Sequence, residues 1–337
     1  MPRSAMRAPE FWRRNGALAA ALGPVAMLWA AGAALRARVA RPWRAPVPVI
    51  CIGNLVAGGA GKTPLVIAVA RLLAARGRAP HIIARGYGGR LAGPARVDPA
   101  RHSAAEAGDE PLLLAAAAPA WIARDRAAGA RAAIAAGAGL LVLDDGFQNN
   151  ALARDLSLLA VDGGYGFGNG RVMPAGPLRE PLAGGLARAD AVVIIGADTV
   201  NAAALLPPRL PVYNARAVPL PGAADDIAGR AVFAFAGIGR PAKFYATLRE
   251  MGCDIRGTRD FADHHPFTAE EAMALCEAAA ALNAVPVTTE KDAVRLPMPA
   301  RAMVRVLPVV LEWEEADALD RLLAPVLADT PSLAAHG

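Results

Sequence analysis

A short apolar run, Val49-Ile50-Cys51-Ile52, passes into a glycine-rich turn and then into Gly61-Lys62-Thr63 at the head of an amphipathic segment. Strand, loop and helix in that order constrain this chain more than any other feature. In a phosphate-binding loop the glycines let backbone N–H groups close around phosphate oxygens, the lysine neutralises the outer phosphates, and the Ser/Thr hydroxyl ligates a magnesium ion. Lys62 and Thr63 match the last two requirements, and Gly58, Gly59, Ala60, Gly61 and Pro64 complete the nucleotide-binding set. The strict spacing G-x-x-x-x-G-K-[ST] asks for glycine at position 56, where this chain has Val56. Nucleotide binding is nevertheless the reading that a strand before and a helix after the loop support.

The 337 residues exceed one ordinary domain and point to two. With 55% hydrophobic and 20% charged residues there is ample material for a core, which excludes a disordered chain. Cys51, Cys253 and Cys276 lack paired spacing, which argues against a disulfide framework or zinc site and for a reducing compartment. The net charge of +6 rests almost wholly on arginine and suits an anionic membrane or a phosphorylated substrate as well as it suits nucleic acid.

Gly16 to Leu35 carries no charge and is flanked by Arg13 and Arg14 on one side and Arg36, Arg38, Arg41 and Arg44 on the other. A helix of that length would measure roughly 30 Å, about the thickness of a bilayer core. Pro24 interrupts the run and much of its apolarity is alanine, so a helix lying in the membrane interface is at least as well supported as one that spans.

Beyond the loop, a helix is expected from Pro64 to Arg76, a buried strand at His81 to Ala84, and a helical run after Gly108-Asp109-Glu110-Pro111. Leu140-Leu141-Val142-Leu143 followed by Asp144-Asp145 reads as the strand whose aspartate holds the magnesium shell, with both acids as candidates. Further strands at Leu156 to Val161 and Ala191 to Ile195 continue a rhythm that implies a doubly wound, mostly parallel sheet with its ligand at the strands' C-terminal edge. Leu206 to Pro211 and Val218 to Gly222 read as linkers. A new strand at Ala231, helices at Lys243 to Met251 and Ala269 to Leu282, and strands at Val285 to Thr289 and Val304 to Leu311 make a second unit. The expected organisation is α/β: an N-terminal apolar helix (1–45), a phosphate-loop nucleotide-binding domain (46–228) and a smaller α/β domain closing over the cleft (229–330).

The motifs GNLVAGGAGKTP (Gly53 to Pro64), RGYGG (Arg85 to Gly89), GDEP (Gly108 to Pro111), LDDGFQ (Leu143 to Gln148), RVMPAGPLREP (Arg171 to Pro181), FAGIGRP (Phe235 to Pro241), DHHPF (Asp263 to Phe267) and TEKDAVRL (Thr289 to Leu296) resemble, in order, those of the tetraacyldisaccharide 4'-kinases of lipid A synthesis. The resemblance extends over nearly the whole chain and includes Val56; Asn149 departs from it, the family usually having histidine there. It implies transfer of the γ-phosphoryl group of ATP, with Mg2+, to the 4'-hydroxyl of a tetraacyldisaccharide 1-phosphate. The implied place is the cytoplasmic face of the bacterial inner membrane. The implied partners are that glycolipid and the membrane surface, not nucleic acid.

By the same likeness Asp109 is the candidate base with His264 as its partner, beside Lys62 on the phosphates; Thr63, Asp144 and Asp145 are the metal candidates; and Arg85, Glu110, Gln148, Arg171 and Arg179 are the substrate-binding candidates. Taken singly, Asp109 reads equally as a helix-start acid, His264 as a loop histidine, and the two arginines as surface charges. Two rival classes remain open at this point. Partitioning-type ATPases carry a lysine where this chain has Ala57. A kinase of a small soluble acceptor would leave the apolar N-terminus unexplained.

Overall fold

The computed structural model describes residues 9–328. In chain order the strands of the larger sheet are β1 (Val49–Gly53), β2 (Pro80–Ala84), β3 (Ala95–Arg96), β4 (Ala120–Ile122), β5 (Leu140–Asp144), β6 (Leu156–Asp162), β7 (Ala191–Ile195) and β8 (Val212–Pro219). A smaller sheet follows, with β9 (Ala231–Ala236), β10 (Asp254–Asp260), β11 (Val285–Thr289) and β12 (Arg305–Leu307), after which β13 (Val309–Trp313) rejoins the larger one. Helices α1 (Ala17–Ala21) and α2 (Gly23–Val39) precede the sheet. Between its strands lie α3 (Lys62–Ala75), α4 (Ala104–Ala107), α5 (Asp109–Leu114), α6 (Arg126–Ala135) and α7 (Leu182–Leu186). The smaller unit holds α8 (Pro241–Glu250), α9 (Ala269–Ala281), α10 (Glu290–Ala293) and α11 (Met298–Met303), and α12 (Ala318–Ala328) comes last.

The larger sheet runs β13-β8-β7-β6-β1-β5-β2-β4-β3, parallel from β8 to β4 with an antiparallel strand at each edge. The smaller sheet, β10-β9-β11-β12, is wholly parallel. The fold is thus α/β, as the alternating pattern predicts. Strands β1, β5, β6 and β7 are buried at every position because helices cover both faces. Alternation along β1 divides the core: Ile50 and Ile52 pack with Leu65, Val69 and Leu73 of α3, while Val49 and Cys51 pack with Leu141, Leu143 and the alanines of α6. In the smaller unit, Val232 and Ala234 face Phe244 and Leu248 of α8, and Phe233 and Phe235 face Leu275 and Ala279 of α9.

Five local features differ from the sequence reading. Strand β8 occupies a stretch partly read as linker, and β10, Asp-Ile-Arg-Gly-Thr-Arg-Asp, was not anticipated because it carries no apolar run and lies at a sheet edge. The strand expected at Val304 to Leu311 is two strands in two sheets. After it, Leu322, Leu323 and Val326 of α12 enter the core of the larger sheet, so α12 belongs to the larger unit. Finally, the uncharged run is broken at Leu22: Pro24 lies in the first turn of α2, where its missing N–H costs nothing. Among the described residues no helix is long and apolar enough to cross a membrane.

Candidate functional site

The phosphate loop leaves β1 at Gly53 and enters α3 at Lys62. Gly61 has φ +78°, and a Cβ there would meet Ile195 at 2.7 Å, so both conformation and space require glycine. Fully buried Asn54 braces the turn. Its Nδ2 donates to the carbonyls of Val56 (2.8 Å) and Gly58 (3.3 Å), while its Oδ1 accepts from Lys62 Nζ at 3.0 Å. Strand β5 lies beside β1 with Ile52 in register with Asp144, which delivers Asp144 and Asp145 to the same edge as the loop.

The two aspartates have different surroundings. Asp145, at φ +49°, accepts from Arg179 Nη1 at 2.9 Å on each oxygen and lies 3.4 Å from Lys62 Nζ. Burial opposes its charge, but Lys62 and Arg179 outweigh burial and hold the carboxyl below its usual range. Asp144 is buried, and its Oδ1 has no hydrogen-bond partner. Burial, together with the carboxylates of Glu110 and Asp145, pushes it up to about 7. A buried oxygen without a donor, among three acids, is a place a small divalent cation would suit. Among the described residues no group of three or more His, Cys, Asp or Glu side chains is arranged to hold a metal unaided. Thr63, at the start of α3, brings a further side-chain oxygen to the same edge.

The opposite wall draws on both sheets. Gly108, at φ +85°, turns the chain so closely past Tyr87 that a Cβ would lie 2.6 Å from the Tyr87 carbonyl; Asp109 follows as the first residue of α5. His264, from the loop after β10, has φ +60° and donates its backbone N–H to the Gly237 carbonyl. Its Nδ1 lies 2.8 and 3.1 Å from the Asp109 carboxylate oxygens. Arg295 Nε stands 3.5 Å from Asp109, and its Nη2 ties Asp292 and the Gly237 carbonyl. Lys291 Nζ is 3.2 Å from Glu110, 3.6 Å from Asp263 and 3.3 Å from His264 Nε2. Burial favours the neutral form of Asp109, but the hydrogen bond to His264, the Lys291 charge and the electrostatic pull of His264 and Arg295 outweigh it and hold the carboxyl below its usual range. His265 instead bonds Glu271 and stacks on Phe261, so of the two adjacent histidines only His264 faces Asp109.

A second contact joins the units. Asp162, at the end of β6, pairs with Arg240 and Lys243 at the start of α8, each at 2.5 Å, and the Arg240 guanidinium covers the Tyr165 ring. A Cβ on Gly239 would lie 3.9 Å from the Gly59 amide nitrogen, so the loop after β9 lies against the phosphate loop.

The remaining candidates are dispersed. Gln148 bridges the Asn54 carbonyl and Glu180, and Arg179 reaches Gln148 as well as Asp145, so both brace the loop. Arg85 is exposed at the end of β2. Arg171 stands apart, bonded to Asn15, on a groove of about 410 Å³ between Pro24, Met27 and Ala30 of α2 and Val172, Ala175 and Pro181. Sequence reasoning missed Asn54, Lys291, Arg295 and Arg126. Buried Arg126 donates to the Ala123 and Asp144 carbonyls and so fixes the backbone of the acidic pair. One signal was available: the chain's only lysines are Lys62, in the phosphate loop, and Lys243 and Lys291, which pair with acids across the two units.

Comparison with known proteins agrees with this arrangement. A family model described as tetraacyldisaccharide-1-P 4'-kinase matches residues 18–328. A tetraacyldisaccharide 4'-kinase of Rhodospirillum centenum is 62% identical over 328 residues, covering 96% of this chain and 97% of that protein. The enzyme of that name from Gluconacetobacter diazotrophicus is 54% identical, covering 94% and 97%. The crystal structure of LpxK from Aquifex aeolicus, described as an "apo" form in complex with ATP, superposes with a TM-score of 0.74 at 28% identity, covering 92% of this chain and 99% of that one. The chain belongs to the tetraacyldisaccharide 4'-kinase family.

Proposed function

We propose that this chain, an ATP-dependent tetraacyldisaccharide 4'-kinase of lipid A biosynthesis, carries out phosphoryl transfer in the cleft between its two sheets, with Asp109 as the base. The observation that supports this best is geometric: His264 of the smaller unit lies 2.8 Å from Asp109 of the larger one, and a Cβ on Gly239 would lie 3.9 Å from the Gly59 amide nitrogen of the phosphate loop. The loops that carry the acid–base pair and the phosphate loop therefore meet where the two units join.

The triphosphate of ATP lies along Gly58 to Thr63 at the N-terminus of the 14-residue helix α3, where free backbone N–H groups point at it. Lys62, oriented by Asn54 and Asp145, meets the outer phosphates. Thr63 and Asp144 are the residues that would hold Mg2+, which when bound would supply charge neutralisation to the phosphates. Asp145, already engaged by Arg179 and Lys62, orients the lysine. The acceptor 4'-hydroxyl lies against Asp109. Its oxygen forms the new bond to the γ-phosphorus as the bond to the β,γ-bridging oxygen breaks. The electron pair leaves with ADP, and the hydroxyl proton passes to the Asp109 carboxylate. Because such a transition state is loose, positioning and charge carry most of the acceleration and the base acts late.

The acceptor is a glycolipid, and α2 supports this: Val25, Met27, Leu28, Trp29 and Leu35 are exposed on it. We read this surface as lying in the cytoplasmic leaflet of the bacterial inner membrane, with Arg171 facing the lipid side. The test is a phosphorylation assay with purified protein, ATP, Mg2+ and tetraacyldisaccharide 1-phosphate, beside the same disaccharide without acyl chains. Label on the 4'-oxygen of the acylated acceptor is the expected result; equal turnover of the deacylated one contradicts the lipid reading, and no turnover of either contradicts the whole.

A further inference from the structure

Lys291 has no part in the chemistry just described, yet its surroundings are the most specific of any side chain in the cleft. An ammonium has three N–H donors and no lone pair. Here it faces three groups able to accept: Glu110 Oε1 at 3.2 Å, Asp263 Oδ1 at 3.6 Å and His264 Nε2 at 3.3 Å. A contact between an ammonium and a ring nitrogen is a hydrogen bond only if the nitrogen carries a lone pair. The charge state of Lys291 is secure: burial works against the cation, but the carboxylates of Glu110, Asp109 and Asp263 outweigh burial and hold it above the usual lysine value.

We propose that Lys291 is a positioning residue that fixes the tautomer of His264, donating to Nε2 so that the ring's single proton stays on Nδ1 and points at Asp109. The inference rests on reading Asp109 and His264 as the acid–base pair. The charged and titratable groups at the ring are Asp109 from α5, Lys291 from α10 and Asp263 from the ring's own loop, with Glu110 on Lys291, Arg295 on Asp109 and the Tyr87 ring 5.6 Å away. Of these only Asp263 favours a proton on Nε2, and its Oδ2 is 3.8 Å from that nitrogen, farther than Lys291. The consequence is chemical. A proton on Nε2 in place of Nδ1 would turn a lone pair toward the Asp109 carboxylate. A proton on both would set a full cation against Asp109 and weaken it as a base. Lys291 excludes both states, leaving Asp109 anionic, oriented by one neutral N–H and free to accept the hydroxyl proton.

The test is the long-range 1H–15N spectrum of the full chain labelled at histidine, with His264 assigned by its absence in His264→Gln, because ring-nitrogen shifts separate the tautomers that coordinates alone do not. In the wild type, Nδ1 is expected protonated and Nε2 bare at neutral pH. In Lys291→Met, Nε2 is expected to gain a proton under the same conditions. Its kcat is expected to fall about tenfold, an order below the loss of a positioned base, with KM for ATP unchanged. A wild-type spectrum with the proton on Nε2 overturns the proposal by itself, even if the variant does not fold. So does a folded Lys291→Met whose His264 keeps the single Nδ1 proton. Should the wild-type tautomer be as expected while Asp109→Asn keeps wild-type kcat, the assignment of the base fails and the lock on His264 stands.

Discussion

The two walls of the cleft are built in opposite ways. The nucleotide wall is one strand, one loop and one helix in succession, joined by a neighbouring strand that ends in Asp144 and Asp145. The proposed acceptor wall takes Asp109 from the larger unit and His264, Lys291 and Arg295 from the smaller one, with Asp109 and His264 155 positions apart in the chain. Glycine geometry and a fixed local spacing specify the first; the second exists only when the two sheets are docked. Substitutions on the nucleotide wall should therefore remove a local function outright, whereas those on the acceptor wall should behave as members of a coupled set.

The largest effect is expected at Lys62. Lys62→Ala removes the charge on the outer phosphates and should lower kcat by about 10³-fold or more without changing the far-ultraviolet circular dichroism. Full activity in that variant would break the comparison at its firmer end. On the acceptor wall, Asp109→Ala or His264→Ala should lower kcat by roughly 10²-fold while leaving the affinity for ATP nearly unchanged. Removing residues 1–38 is expected to act chiefly on acceptor capture, although it also removes the bonds of Trp12 and Asn15 to Pro174 and Arg171. Exposed Val25, Met27, Leu28 and Trp29 leave with it, so the KM for lipid should rise more than the KM for ATP, and the protein should shift from the membrane to the soluble fraction in flotation with anionic vesicles.

The smallest effect concerns stability. Asp144 titrates at about 7 in the folded chain against 3.8 as an ordinary aspartate, so the folded state binds the proton more tightly than the unfolded one. Ionising it therefore costs stability. The cost is absent below the unfolded value, grows as pH rises, and is complete above the folded one. Without nucleotide or metal, Asp144→Asn should raise the unfolding midpoint by a few degrees near pH ~8 and leave it unchanged near pH ~4. Equal midpoints at both pH values would show that Asp144 carries no such burden.

How much of this was legible in the sequence follows the same division. Continuous apolar runs such as Leu140 to Leu143 announce buried parallel strands, and Gly61-Lys62-Thr63 announces the loop, because each signal is local. Edge strand β10 was illegible because an exposed strand need not be apolar, and the split between β12 and β13 was illegible because nothing at Pro308 says that the chain changes sheets. Taken singly, Asp109 and His264 looked like a helix-start acid and a loop histidine; the family likeness paired them, and only their docking places them in contact. Gln148 and Arg179 are close to Asn54 and Asp145 but far from Arg171, a grouping that no spacing rule contains. The scarcity of lysine was the one readable hint, since a chain that uses arginine nearly everywhere has placed one compact ammonium group in the phosphate loop and the other two across the junction.

The central claim is that residues from the two units make one reactive group. The measurement that tests it most directly is the kcat of Asp109→Ala/His264→Ala beside the two single variants, with ATP and tetraacyldisaccharide 1-phosphate both saturating. A double variant barely slower than the slower single one is the expected result, because residues that act as a unit lose their function together. Losses that multiply, or a wild-type kcat in either single variant, would contradict it.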